Sequence, residues 1–117
     1  ETSDLHRAML VRRLLDSLRV RNMAGRISQI DVSDARNAVV LLEGDQTLIR
    51  LGHERFVERL QSYFDIAPAL RERVPAMDYV DLRFDERVYV RPVQKGAAPR
   101  AHRKAGPVKG ARATQTG

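Results

Sequence analysis

The chain has 117 residues, 43% of them apolar, 5% aromatic and none cysteine, and a formal net charge of +6. That allows one small domain with one modest core, and it excludes a disulfide framework and a thiolate metal site. All 15 acidic residues but only 15 of the 21 basic ones lie in residues 1–93, so this part is neutral and the excess charge belongs to the last 24 residues.

Thr2-Ser3-Asp4 is a helix-start cluster. Ala8, Val11, Leu14, Leu15 and Leu18 then recur at helical spacing, which predicts a helix over Asp4 to Arg21 closing near Asn22 to Gly25. Arg26 to Val32 is a strand with Ile30 and Val32 on one face, and a turn at Asp34 to Asn37 leads into the β-branched run Ala38 to Leu42. After the turn Glu43 to Gln46, Thr47 to Leu51 runs back. Consecutive hairpins make the sheet antiparallel. At Gly52 the period changes from 2 to 3.6, and Phe56, Val57, Leu60, Tyr63 and Phe64 share one face of a helix of about 14 residues that covers the sheet. Pro68 ends that helix, and Ala69 to Val74 can add a further helical turn.

The last hairpin carries Val80, Leu82 and Phe84 on one face and Tyr79, Asp81 and Arg83 on the other. Asp85-Glu86 makes its turn, and Val88 and Val90 oppose Arg87, Tyr89 and Arg91. Pro92 cannot continue a sheet, so this second run is a candidate edge strand, which is a docking surface for an added strand. The fold class is α+β, with an antiparallel sheet, an N-terminal helix, a second helix on the sheet and a domain spanning residues 1–93. Residues 94–117 are rich in Gly, Ala, Pro, Lys and Arg and too poor in large apolar residues to offset ordering entropy, so a disordered basic tail is expected there.

The longest unbroken apolar run, Ala38 to Leu42, is far short of the roughly 20 residues of a membrane helix. The sequence opens on Glu1 rather than Met, and the expectation is a piece of a longer protein. No constellation of catalytic, metal-ligating or cofactor-binding residues stands out. Asp81 and Arg83 sit two apart on one strand face, the spacing of a structural ion pair rather than of a catalytic carboxylate. His6, His53 and His102 are scattered, and His53 beside Gly52 lacks a glycine-rich phosphate loop. Arg12, Arg13, Arg19 and Arg21 could give the first helix a phosphate-binding face, which with the basic tail makes a small nucleic-acid-binding protein the competing class.

The order of elements and several strings resemble the FtsQ/DivIB family of bacterial cell-division proteins, in its membrane-distal β domain. These are Leu51-Gly52 running into a helix with Arg59-Leu60 and Phe64, then Tyr79-Val80-Asp81-Leu82-Arg83-Phe84 and a short final strand. The resemblance covers about Leu5 to Val93. It implies a noncatalytic scaffold of the divisome that needs no cofactor, anchored in the inner membrane by a single span upstream of Glu1, with a POTRA domain between and this portion on the periplasmic side. It also implies FtsB and FtsL as partners, met by strand addition at Phe84, Glu86, Val88, Val90 and Arg91. Pro92 stands where some relatives place an aromatic, so backbone pairing ends at or before it.

Overall fold

The computed structural model describes residues 2–94. The basic tail expected from residue 94 onward lies, apart from Gln94, outside the described residues. Helix α1 (Thr2–Val20) is followed by a 3-10 turn (Ala24–Arg26), strands β1 (Ile27–Asp34), β2 (Asn37–Leu42) and β3 (Leu48–Gly52), helix α2 (Phe56–Arg73), and strands β4 (Met77–Phe84) and β5 (Arg87–Pro92). The five strands lie in sequence order across one sheet. Both helices pack on one face, where Ala38, Val40, Leu42, Ile49, Leu51, Val80 and Leu82 are buried against Leu10, Leu14, Leu18, Phe56, Leu60 and Tyr63.

The α+β class and the mostly antiparallel sheet are as the sequence implies. One pairing differs: β3 and β4 run parallel, in the register Leu48 to Tyr79, Ile49 to Val80 and Arg50 to Asp81. Parallel neighbours need a crossover, and α2 supplies it. Helix α2 also corrects the expected break at Pro68, because it runs through that residue to Arg73. An interior proline costs about 3 kcal/mol and leaves the carbonyl one turn back without its donor. Here Pro68 is on the exposed side, and Ala67 and Leu70 hold the surrounding turns on the core. In α1 the buried stripe is Leu10, Leu14 and Leu18, whereas Ala8 is exposed. Six positions from Leu14, Ala8 is rotated about 120° away from the core-facing direction.

Helix α1 closes as its Asn-Met-Ala-Gly sequence suggests. Asn22 takes φ +59°, and the Met23 N–H reaches back to the Leu18 carbonyl at 2.8 Å while the Asn22 N–H reaches Arg19 at 3.1 Å, the pair of bonds that terminates a helix through a left-handed residue.

The β2–β3 turn is tied to α2 through Asp45. Its Oδ2 accepts from the Tyr63 hydroxyl at 2.5 Å and from Arg71 Nη2 at 2.8 Å, and its Oδ1 accepts from the Thr47 N–H at 3.0 Å. Burial pushes the Tyr63 hydroxyl up, and its bond to the Asp45 carboxylate adds to this, taking the pKa to about 12. Burial also acts to raise Asp45, but the bonds from Tyr63 and Thr47 and the charge of Arg71 outweigh it and hold the carboxyl below its usual value. The two groups give opposite signs. Tyr63 contributes stability that is complete below its unfolded value of 10.0 and is lost as the pH rises through about 12; that of Asp45 is present above 3.8 and lost as the pH falls through its depressed folded value. The urea midpoint is therefore expected to decline between pH 10 and about 12. Urea titrations at fixed ionic strength should show that decline in the native chain and not in Tyr63→Phe.

Candidate partner-binding edge

Strand β5 closes the sheet on one side, and the geometry of its backbone follows from two observations. The Val93 N–H donates to the Ala76 carbonyl at 3.0 Å, and Pro92 opposes Met77. Val93 therefore points its N–H at β4, and alternation along a strand turns Arg91, Tyr89 and Arg87 the same way. The register shifts between Met77 and Tyr79 and between Asp81 and Phe84 each insert the extra residue in β4, leaving the alternation of β5 intact. Val88, Val90 and Pro92 consequently direct their backbone groups outward. Val88 and Val90 offer both N–H and C=O, and Pro92 offers only a carbonyl. A proline is tolerated in a strand where its nitrogen faces away from the ladder, so Pro92 is itself consistent with an open edge.

The side chains of this hairpin divide into an exposed tip and a buried base. Phe84, Val88, Tyr89 and Val93 are four of the seven exposed large hydrophobic residues among the described residues, which concentrates apolar exposure here. The Phe84 and Tyr89 rings meet edge to face, 5.3 Å between centroids. Glu86 is exposed in the turn. Val90 is half-buried against the core, and Arg91 is 3% exposed, with Nε 3.7 Å from Asp78 Oδ2 and its guanidinium carbon 5.8 Å from the centre of the Tyr79 ring. The structure thus brings Phe84 and Val88 together on the outside, whereas Val90 presents backbone at the edge, Arg91 turns its backbone to β4, and both keep their side chains within the domain. Tyr89 joins the exposed group. The alternation of the strand could have found it, since it opposes Val88 and Val90.

Asp81 and Arg83 form a forked pair, with Arg83 Nε and Nη2 donating to the two carboxylate oxygens at 2.9 and 2.7 Å. The bond to Asp81 raises the already high pKa of Arg83. Arg50 Nη1 approaches the same carboxylate at 3.7 Å, and the Arg50 guanidinium lies over Tyr79 at 3.8 Å. The arginines proposed for a phosphate-binding face are partly engaged: Arg12 and Arg19 both pair with Asp16, and Arg13 donates to the His53 carbonyl at 2.9 Å.

What holds the β4–β5 turn is non-local. Arg55 Nη1 reaches Asp85 at 2.7 Å, across 30 positions. Arg59, buried in α2, donates to the Leu51 carbonyl at 2.7 Å and lies 3.8 Å from both Glu54 and Asp85. Gly52 makes room for this. It has φ +76°, its N–H donates to Asn37 Oδ1 at 3.0 Å, and a Cβ there would stand 2.8 Å from Arg59 Nη1 and 3.2 Å from Arg83 Cγ. Neither Arg55 nor Gly52 is singled out for this role by local sequence.

The described residues form a two-layer α+β domain whose last strand lies at the edge of the sheet. Among the described residues there is no cluster of metal-ligating side chains and no helix long and apolar enough to cross a membrane. Residues 6–83 match the family model described as "Cell division protein FtsQ/DivIB, C-terminal", and the chain belongs to this family of non-enzymatic, membrane-anchored division proteins. The match runs from α1 to β4, so β5 follows it. No curated protein matches the chain.

Gly52→Ala is expected to lower stability by about 2 kcal/mol, from left-handed strain and the contact with Arg59. Thermal unfolding should show a Tm lower by roughly 8–16 °C.

Proposed function

We propose that this domain recruits FtsB- and FtsL-type partners to the divisome by accepting a partner strand at the outer edge of β5. The reading is supported most directly by the outward N–H and C=O groups of Val88 and Val90, next to the exposed apolar side chains of Phe84, Val88 and Tyr89. Added strands gain affinity from main-chain hydrogen bonds and specificity from alternate side chains. On the helix side, Leu82, Phe84 and Val88 border a small hollow of about 100 Å³ with Arg55, Glu58 and Asp85 at its rim, room for one partner side chain. Glu86 flanks the start of the edge. Pro92 ends it, because the position offers an acceptor and no donor. Arg91 supports the edge from within through Asp78 and Tyr79. The role needs no cofactor and no catalytic group. In the full protein the anchor lies upstream, in the inner membrane, and this domain acts on the periplasmic side at the division site.

Two proline substitutions separate recognition from folding. Val88→Pro removes an outward donor and leaves the β4 ladder whole, so it should remain folded and bind an FtsB/FtsL ectodomain segment at least tenfold more weakly by calorimetry. Tyr89→Pro removes an inward donor and should lower the Tm as well. Unchanged affinity in folded Val88→Pro would refute strand addition at this edge.

A further inference from the structure

At the end of the domain away from the β4–β5 turn, the closing turn of α1, the β2–β3 turn and the last turns of α2 enclose a cleft of about 690 Å³. Arg21 and Arg26 stand on one wall and Arg71 on the other. Arg71 is engaged by Asp45, which is itself satisfied by Tyr63 and Thr47. Arg21 and Arg26, like Arg13, Arg36, Arg73 and Arg87, have no carboxylate partner among the described residues, and of these six only Arg21 and Arg26 line the cleft.

Arg26 is also oriented. Its guanidinium carbon lies 4.2 Å from the centre of the Phe64 ring, so the aromatic face fixes the cation and its N–H groups stay available for a two-bond contact with a carboxylate. Arg21 directly precedes the left-handed Asn22 that closes α1, and its side chain is exposed. The amides of Asn22 and Gln46 also line the cleft, whereas Gln61 already donates Nε2 to Asp65 at 3.0 Å, and Glu43 is an exposed acid on the same lining. A cleft of this volume is far larger than one inorganic ion, and side-chain amides suit the peptide groups of an extended chain.

We propose that this cleft is a second docking site, taking an acidic peptide segment of a partner protein whose carboxylates pair with Arg26 and Arg21 while its backbone meets Gln46. The site is separate from the β5 edge. Occupation of one leaves the other open, so a partner with an acidic stretch and a pairing strand could engage both.

The test is a residue-resolved NMR titration of the full chain with hexaglutamate, in parallel with hexaglutamine, inorganic phosphate and trigalacturonate. Hexaglutamate should shift the Arg21, Arg26 and Gln46 signals, and the double variant Arg21→Glu/Arg26→Glu should weaken that binding at least tenfold. Both side chains are exposed, so the fold should survive, as its amide spectrum will show. Val88→Pro should leave hexaglutamate binding unchanged, so this site and the strand edge fail independently. The proposal is overturned if the shifts are confined to residues 94–117 or to Arg12 and Arg13, or if the double variant binds as before. It is equally overturned if hexaglutamine, phosphate or trigalacturonate perturbs the cleft as strongly.

Discussion

At Gly52 the chain leaves β3 with φ +76° and enters α2 within four residues, and most of the architecture depends on that corner. The left-handed backbone is open to glycine at little cost, and the missing Cβ leaves space for Arg59 to bond the Leu51 carbonyl and for Arg83 to pass close by. Because the turn sends α2 back over the sheet, the chain re-enters beside β3 in the same direction, and β4 becomes its parallel neighbour. That order leaves β5 outermost. The same corner supplies Arg55 and Arg59, whose carboxylate partner Asp85 lies in the turn that starts β5. The edge is therefore positioned by a feature more than 30 residues earlier in the chain.

Alternation then sets what the edge can offer. In β5 the inward-facing backbone groups hold the strand to β4, and those of Val88, Val90 and Pro92 face away from the ladder. The bulges lie in β4 and give way there, so the phase of β5 is kept along its length. Pro92 is tolerated by the strand and limiting for a partner for one reason: its nitrogen faces out.

The sequence pattern made the elements and the pairing of Asp81 with Arg83 legible, because each is a local periodicity or a short spacing. The parallel pairing was not, since it depends on where α2 delivers the chain. Pro68 misled because local propensity favours a break there, and packing by Ala67 and Leu70 on either side overrides it. Arg91 looked like an outward residue on alternation alone, yet the opposite sheet face is crowded enough by Tyr79 and Asp78 to bury it. Arg55 to Asp85 could not be found by spacing, because two exposed charges 30 positions apart carry no mutual signal.

The exclusive use of arginine in residues 1–93 has a structural reason. Arg50, Arg26 and Arg91 each lie against an aromatic face, and Arg83 makes a two-bond contact with Asp81. A lysine ammonium is a strongly hydrated point charge and could not serve two surfaces at once. Planar cations allow a domain with few aromatics and no tryptophan to cover its sheet face and close its turns with polar side chains. They also leave different chemistry at the two ends: at the β4–β5 turn Arg55 and Arg59 meet Asp85, whereas at the far end Arg26 is held by an aromatic ring and meets no carboxylate among the described residues.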